Sequence, residues 1–297
     1  MGEPRKLIEV AMPIREISAE SVRDKNIRSG HISTLHLWWA RRPLPTSRAV
    51  VFASLIPDPL DKHCPSIFKD AVHELLGKEN NPGDPYRPYD DIPYTSIVDK
   101  MDDNPRNRLI MFIGKFSYKF CQNSKINKTT PIKDLISQFS LIKSENKTNN
   151  SVIDIAQKLI WVAFNESYKS LDDSLREFKR LKDNIKKAKH ELKINSDSKK
   201  RKQLELNLEK AVELFRSNMP LVFDPFAGGG AIPLEAARLG CRSFGNDINP
   251  VAHIIQRGSV EFPQKYGKPI TFTIEEFNAK YKNYSLENIP QENKRFT

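Results

Sequence analysis

Cysteine is scarce: Cys64, Cys121 and Cys241 are the three in 297 residues, and none forms a C-x-x-C pair. A disulfide framework and a zinc ribbon are therefore unsupported, and reduced thiols in a cytoplasmic setting are the expectation. Long apolar runs are missing too. The longest, residues 49–56, falls far short of the roughly 20 residues a membrane helix needs. The N-terminus lacks the apolar core of a signal peptide. Acidic residues are in deficit, 37 against 48 Lys plus Arg, for a net charge of +11. A basic chain of this kind expects a polyanionic partner, nucleic acid first; a general bias towards lysine is the bland alternative. Glycine is thin as well, 12 residues, yet Gly228, Gly229 and Gly230 are consecutive.

That glycine cluster sits in the stretch that organises the chain, L-V-F-D-P-F-A-G-G-G-A-I-P-L-E, residues 221–235. The apolar run L-V-F reads as a buried parallel strand ending at Asp224. A glycine turn follows, then a helix with Pro233 in its first turn and Gly240 at its C′ position. The next strand, residues 241–246, ends at Asp247, 247 − 224 = 23 positions after Asp224. A carboxylate at that spacing is placed to accept hydrogen bonds from ribose hydroxyls. The glycines do not follow the dinucleotide spacing G-x-G-x-x-G, and no G-x-x-x-x-G-K-[ST] loop exists. A carboxylate at the strand end suits a positive centre or an amine better than a pyrophosphate. S-adenosylmethionine offers both, and a ribose.

D-P-F-A-G-G-G-A-I-P-L-E-A, residues 224–236, resembles motif I of methyltransferases that act on exocyclic amines of nucleic-acid bases. G-N-D-I-N-P-V-A, residues 245–252, resembles the segment that follows it there. H-I-S-T-L-H-L-W-W-A-R-R-P-L, residues 31–44, is similar to the opening signature of the large adenine-specific DNA methyltransferases with an N-terminal domain of unknown function. The resemblance covers roughly residues 5–60 and 218–262, and the two blocks together are more specific than either alone. It implies an α/β fold: a Rossmann-like S-adenosylmethionine-dependent methyltransferase core, incomplete in this chain, with a long helical hairpin inserted. It implies S-adenosylmethionine as cofactor and DNA as substrate, in a restriction-modification or phage-defence setting. Asp224 would take the methionine amino group. Pro225, Phe226 and the backbone of Ala227, Gly228 and Gly230 would form the cradle. Asp247 would hold the ribose and Ile248 would pack on the adenine ring.

Four stretches are expected along the chain. Residues 1–60 are the signature segment, where Leu7, Ile8, Val10, Met12, Ile14 and Ile17 could pack against a core. In it Trp38, Trp39, Arg41 and Arg42 lie beside His31 and His36. Rings next to guanidinium groups have the composition of a nucleic-acid contact; a buried tryptophan with exposed arginines has the same composition. The histidines fit hydrogen-bonded structural roles better than ligand roles. A helix is expected from Ser47 to Ile56. Residues 61–165 hold a short helix, 68–76, loops, further helical pieces, and a polar stretch, 143–150, that reads as a mobile loop. Residues 166–217 show apolar spacings of three, four and seven on both sides of a break at 195–198, the pattern of a helical hairpin. Its 15 basic and 10 acidic residues give it 15 − 10 = +5 of the net charge. Residues 218–297 hold the motif I unit, then a strand candidate at 270–274.

Methyltransferases of amines need a [D/N/S]-P-P-[Y/F/W] motif, whose polar groups accept the amine hydrogens and whose ring stacks on the flipped base. The chain lacks it: Asp84-Pro85-Tyr86 misses the second proline, and Asn249-Pro250-Val251 follows the second strand directly. Such a sheet also needs about seven strands. The chain is therefore expected to be the front part of the enzyme, completed by a second polypeptide; a truncated product has the same sequence. No catalytic residue and no metal ligand is assigned. Two alternatives belong to other classes: an RNA amine methyltransferase, which the W-W-A-R-R-P-L block disfavours, and a non-catalytic DNA- or partner-binding subunit.

Overall fold

The structure is a computed structural model that describes residues 2–27, 42–77, 102–114, 140–194 and 198–267. Trp38, Trp39, Arg41, His31, His36, Asp84-Pro85-Tyr86 and the strand candidate at 270–274 lie outside the described residues.

The short helix α1 (Leu7–Val10) is pinned to the far end of a later helix, with Leu7 N–H donating to the Ile56 carbonyl at 3.0 Å. Then α2 (Ile14–Lys25) does the opposite of what an amphipathic helix at a protein surface does. Ile14, expected in the core, is 62% exposed, while Glu16, Glu20 and Asp24 are buried. They recur every four residues, on one face. Two of these carboxylates find donors on neighbouring elements. Glu20 accepts the Ser144 N–H at 2.8 Å, and Asp24 accepts the Leu44 N–H at 3.3 Å. That second bond caps α3 (Leu44–Leu55), which is apolar on nearly every side and runs through the core.

Helix α4 (Ser66–Leu76) stops at Gly77, whose φ of 84° suits glycine. Asn104 caps α5 (Pro105–Ile113) by accepting the Asn107 N–H at 2.9 Å. The stretch 143–150 is not the loop its polarity suggested. Residues Ser144–Thr148 form a 3₁₀ turn with Ser144 and Asn146 buried. Asn146 turns its amide inward to the Ser140 carbonyl at 2.7 Å, so its polarity is spent on the backbone rather than on water.

Helix α6 (Asn150–Phe164) leads into the hairpin, α7 (Leu171–Ile194) and α8 (Ser198–Ser217), which pack together as expected. Three rings fasten the hairpin base to α6. Trp161 meets Phe178 edge-on at 5.6 Å and stacks on Phe215 at 6.2 Å, and its indole N–H donates to the Ser174 hydroxyl.

The last unit is β1 (Leu221–Asp224), α9 (Ala231–Arg238) and β2 (Arg242–Gly245), followed by α10 (Pro250–Gln256), a π turn over Arg257–Glu261, and α11 (Phe262–Tyr266). The strands are parallel, with Val222 opposite Ser243 and Phe223 opposite Phe244. A parallel pair needs a crossover, which α9 supplies. As expected, Gly240 ends the crossover at φ 83°. One buried apolar cluster joins α1 to α7 with Phe215, Met219, Ala236, Leu239 and Cys241, so residues from all four stretches share one core. No described helix is long and apolar enough to cross a membrane.

The strand expected to be buried on the strength of its apolar run is not: the outer side of the two strands is bare among the described residues. Leu221, Phe223 and Phe244 are exposed, with the two phenyl rings 5.6 Å apart. Parallel sheets bury both faces, so this face calls for a cover.

Candidate functional site

The expected cofactor residues, Asp224 to Gly230 with Asp247 and Ile248, lie at the carboxyl end of β1 and β2. The turn is built from backbone bonds that run from one strand to the other. The Asp224 carbonyl accepts the Asn246 N–H at 2.9 Å, and the Asn246 carbonyl accepts the Ala227 N–H at 2.9 Å. The Asp224 carboxylate folds back on its own turn, Oδ1 accepting the Phe226 N–H at 3.1 Å. Gly228 and Gly230 take φ values of 51° and 82°, in the left-handed region where a Cβ is strained. Gly230 then caps α9.

Asp247 lies across the turn at the end of β2. Its Oδ2 accepts the Gly228 N–H at 2.8 Å and its Oδ1 the Asn249 N–H at 2.9 Å. These two bonds, that from Asn249 first, hold the carboxyl below its ordinary value, so it is an anion at neutral pH. Each oxygen keeps a lone pair for a ligand hydroxyl. Asp247 is thus also a brace for the glycine turn, a role its spacing alone did not reveal.

Gln256 is the brace on the other side, a role that no motif or spacing announces. It is 8% exposed, and its amide donates to the Gly228 carbonyl at 3.1 Å. Gly228 is therefore gripped through both its N–H and its carbonyl. Gly245 makes room for that grip: a Cβ there would stand 2.6 Å from the Gln256 Oε1.

Apolar side chains ring the turn. Phe226 is 78% exposed and Ile248 98%. Large apolar groups so exposed beside two carboxylates offer flat surface to a ring.

The signature segment reaches the site through two arginines. Arg42, grouped by its sequence neighbours with a nucleic-acid contact, lies with Nη1 3.5 Å from Asp224 Oδ2. Arg48, on α3, is buried and pairs with Glu235 on α9, Nε to Oε2 2.6 Å. Its Nη1 also donates to the Leu141 carbonyl at 2.8 Å. Arg238 pairs with the same carboxylate. This triad sets α9, and with it the glycine turn, against α3. A signal was present in the sequence: Arg48 and Glu235 are lone charges in apolar runs, and buried charges are paired. A groove of about 570 Å³ lies elsewhere, between α4, α6 and α7. Its lining mixes five cations with four anions, which selects no ligand.

A family model described as a protein of unknown function, DUF1156, matches residues 11–77. That span holds Arg42, Arg48 and helices α2 to α4. No curated protein and no solved structure matches the chain.

Proposed function

We propose that the chain is the cofactor-binding part or subunit of an S-adenosylmethionine-dependent DNA methyltransferase acting on the exocyclic amine of adenine. The observation that carries this reading is the braced turn. Two strand-end carboxylates, Asp224 and Asp247, lie on either side of a glycine-lined approach, next to exposed Phe226 and Ile248. The residues present fit the cofactor: a nearly buried carboxylate for its ammonium, a second carboxylate with spare lone pairs for its ribose, apolar side chains for its adenine. When bound, S-adenosylmethionine supplies an activated methyl group. Asp224 and Asp247 would hold its two ends, the braced turn would let the backbone come close, and Ile248 and Phe226 would keep water from the ring. That is positioning rather than covalent catalysis.

The base-holding side is assigned to a second polypeptide. One feature supports this: Leu221, Phe223 and Phe244 leave the outer sheet face uncovered among the described residues. The net charge of +11 is consistent with DNA as the polymer bound.

Transfer of tritiated methyl from S-adenosylmethionine to unmethylated DNA tests the reading, with the chain alone and co-expressed with the product of the downstream reading frame. Transfer that requires the second chain and is lost in Asp224→Asn is expected. Transfer by the chain alone would refute the second polypeptide and return attention to Asp84-Pro85-Tyr86. Retention of DNA with neither transfer nor nucleoside binding would favour the binding-subunit reading.

A further inference from the structure

The carboxylate at the end of β1 does not face its ligand alone. Arg42 comes to it from 182 positions away in the sequence, and the two side chains differ sharply in exposure, 58% for Arg42 and 8% for Asp224. Oδ1 of Asp224 is held by the Phe226 N–H, so Oδ2 is the oxygen turned to the guanidinium, at 3.5 Å. That separation is at the outer limit of a hydrogen bond. Neither group is saturated: a guanidinium carries five N–H donors, and a carboxylate oxygen has more than one lone pair.

Consider what such a pair accepts. A plain amine approaching Asp224 Oδ2 meets a second cation a few ångströms away and is repelled by it. A plain carboxylate approaching Arg42 meets Asp224 in the same way. A group that carries both charges one carbon apart meets neither penalty. Its ammonium lies on Asp224 while its carboxylate lies on Arg42, whose planar fork takes a carboxylate in two parallel bonds. Asp224 and Arg42 sum to zero charge, as does a zwitterion.

We infer that Arg42 and Asp224 together form the receptor for a zwitterionic α-amino-acid group, with Arg42 as the residue that selects for its carboxylate. This rests on the nucleoside reading of the glycine turn and adds the ligand's other end to it. It also moves Arg42 from a contact with the phosphates of DNA to a contact with the small ligand. The position of Arg42 just ahead of α3 then explains why residues 11–77 pack on the glycine-turn unit at all: Arg48 aligns the two units and Arg42 completes the site.

The test uses two ligands that share the nucleoside and the thioether and differ at the amino-acid end, S-adenosylhomocysteine and 5′-methylthioadenosine. Calorimetry on the full chain and on Arg42→Ala and Arg42→Lys gives the affinities. Arg42 is mostly exposed, so its replacement leaves the fold in place, which circular dichroism checks. Arg42→Ala is expected to weaken S-adenosylhomocysteine by about tenfold or more, the usual loss of a charged hydrogen-bond pair. Its affinity for 5′-methylthioadenosine should stay within about twofold, and Arg42→Lys should recover part of the loss, as a point charge replaces a fork. Equal losses for both ligands would overturn the inference, because Arg42 would then only support the turn. Tighter S-adenosylhomocysteine binding in Arg42→Ala would overturn it too, since the ion pair would then be a latch the ligand must break. A wild-type chain that binds 5′-methylthioadenosine but prefers it to S-adenosylhomocysteine would sink the zwitterion receptor and leave the nucleoside reading standing. Binding of neither ligand would refute the nucleoside reading itself.

Discussion

Replacing Arg48 with Met should cost about 3–5 kcal/mol, the range for breaking a buried ion pair. The side chain is 1% exposed and its partner Glu235 fully buried, so water cannot take over either charge. Methionine keeps the apolar stem and removes the guanidinium. Lost with it are the 2.6 Å bond to Glu235 and the 2.8 Å bond to the Leu141 carbonyl. At roughly 1.5–3 kcal/mol for each bond to a charged group, the two sum to about the same figure. Arg238 remains beside Glu235 and limits the damage, since the carboxylate is not orphaned. Glu235→Leu should be at least as harmful, because it strands the buried Arg48 cation. The double variant Arg48→Met/Glu235→Leu should fall short of the sum of the singles by about 1.5 kcal/mol or more, as an apolar pair replaces an ionic one. Urea unfolding followed by the fluorescence of buried Trp161 and by circular dichroism measures all three variants. An Arg48→Met cost below about 1 kcal/mol, or additive singles, would refute the claim that this pair joins α3 to the glycine-turn unit.

Gly245→Ala should cost about 1–3 kcal/mol and weaken nucleoside binding, because the new Cβ would meet Gln256 Oε1 at 2.6 Å and Pro233 Cγ at 2.8 Å; unchanged melting and unchanged affinity would show that the Gln256 grip is dispensable. Burial pushes the Glu16 carboxyl up to about 7, and its Oε1 has no hydrogen-bond partner. A raised folded value means stability fully present below the unfolded value of 4.5 and lost as pH rises through about 7. Urea midpoints should therefore decline from pH 5 to pH 8, and Glu16→Gln should flatten that decline; an identical slope in the variant argues against it. Asp247 has the opposite sign: its contribution is present above the unfolded value and disappears as pH falls through the depressed folded one. The Gly228 amide shift in an NMR titration should report an apparent value below the ordinary carboxylate range, and one at or above that range would contradict the brace. Phe244→Lys should leave the stability of the isolated chain within about 0.5 kcal/mol, since the ring is 60% exposed, and should abolish any methyl transfer that depends on a second polypeptide.

Legibility in the sequence followed the range of the interactions. The strand, glycine turn, helix and second strand around Asp224 and Asp247 were readable because each signal is local: an apolar run, a break, a helical period, a C′ glycine. The hairpin was readable for the same reason, as α7 and α8 each keep their apolar spacing over several turns. Helix α2 was not, because its spacing of four belongs to carboxylates that face inward towards Ser144 and Leu44, donors far away in the chain. The 3₁₀ turn at Ser144–Thr148 was misjudged on composition, which records that a residue is polar and not whether a backbone group is there to receive it.

At the site, the amino acids by themselves determined which chemistry is on offer: two carboxylates 23 positions apart, three glycines, and the apolar side chains of Phe226 and Ile248. Only the tertiary structure decided how those groups are used. It brought Arg42 to Asp224 and Arg48 to Glu235 across more than 180 positions, and set Gln256 and Asp247 on either side of Gly228. The physical reason is that periodicity and turn propensity act over a few residues along the chain. The pairing of buried charges acts over a few ångströms in space, and nothing in a run of neighbours records which distant residue will supply the opposite sign.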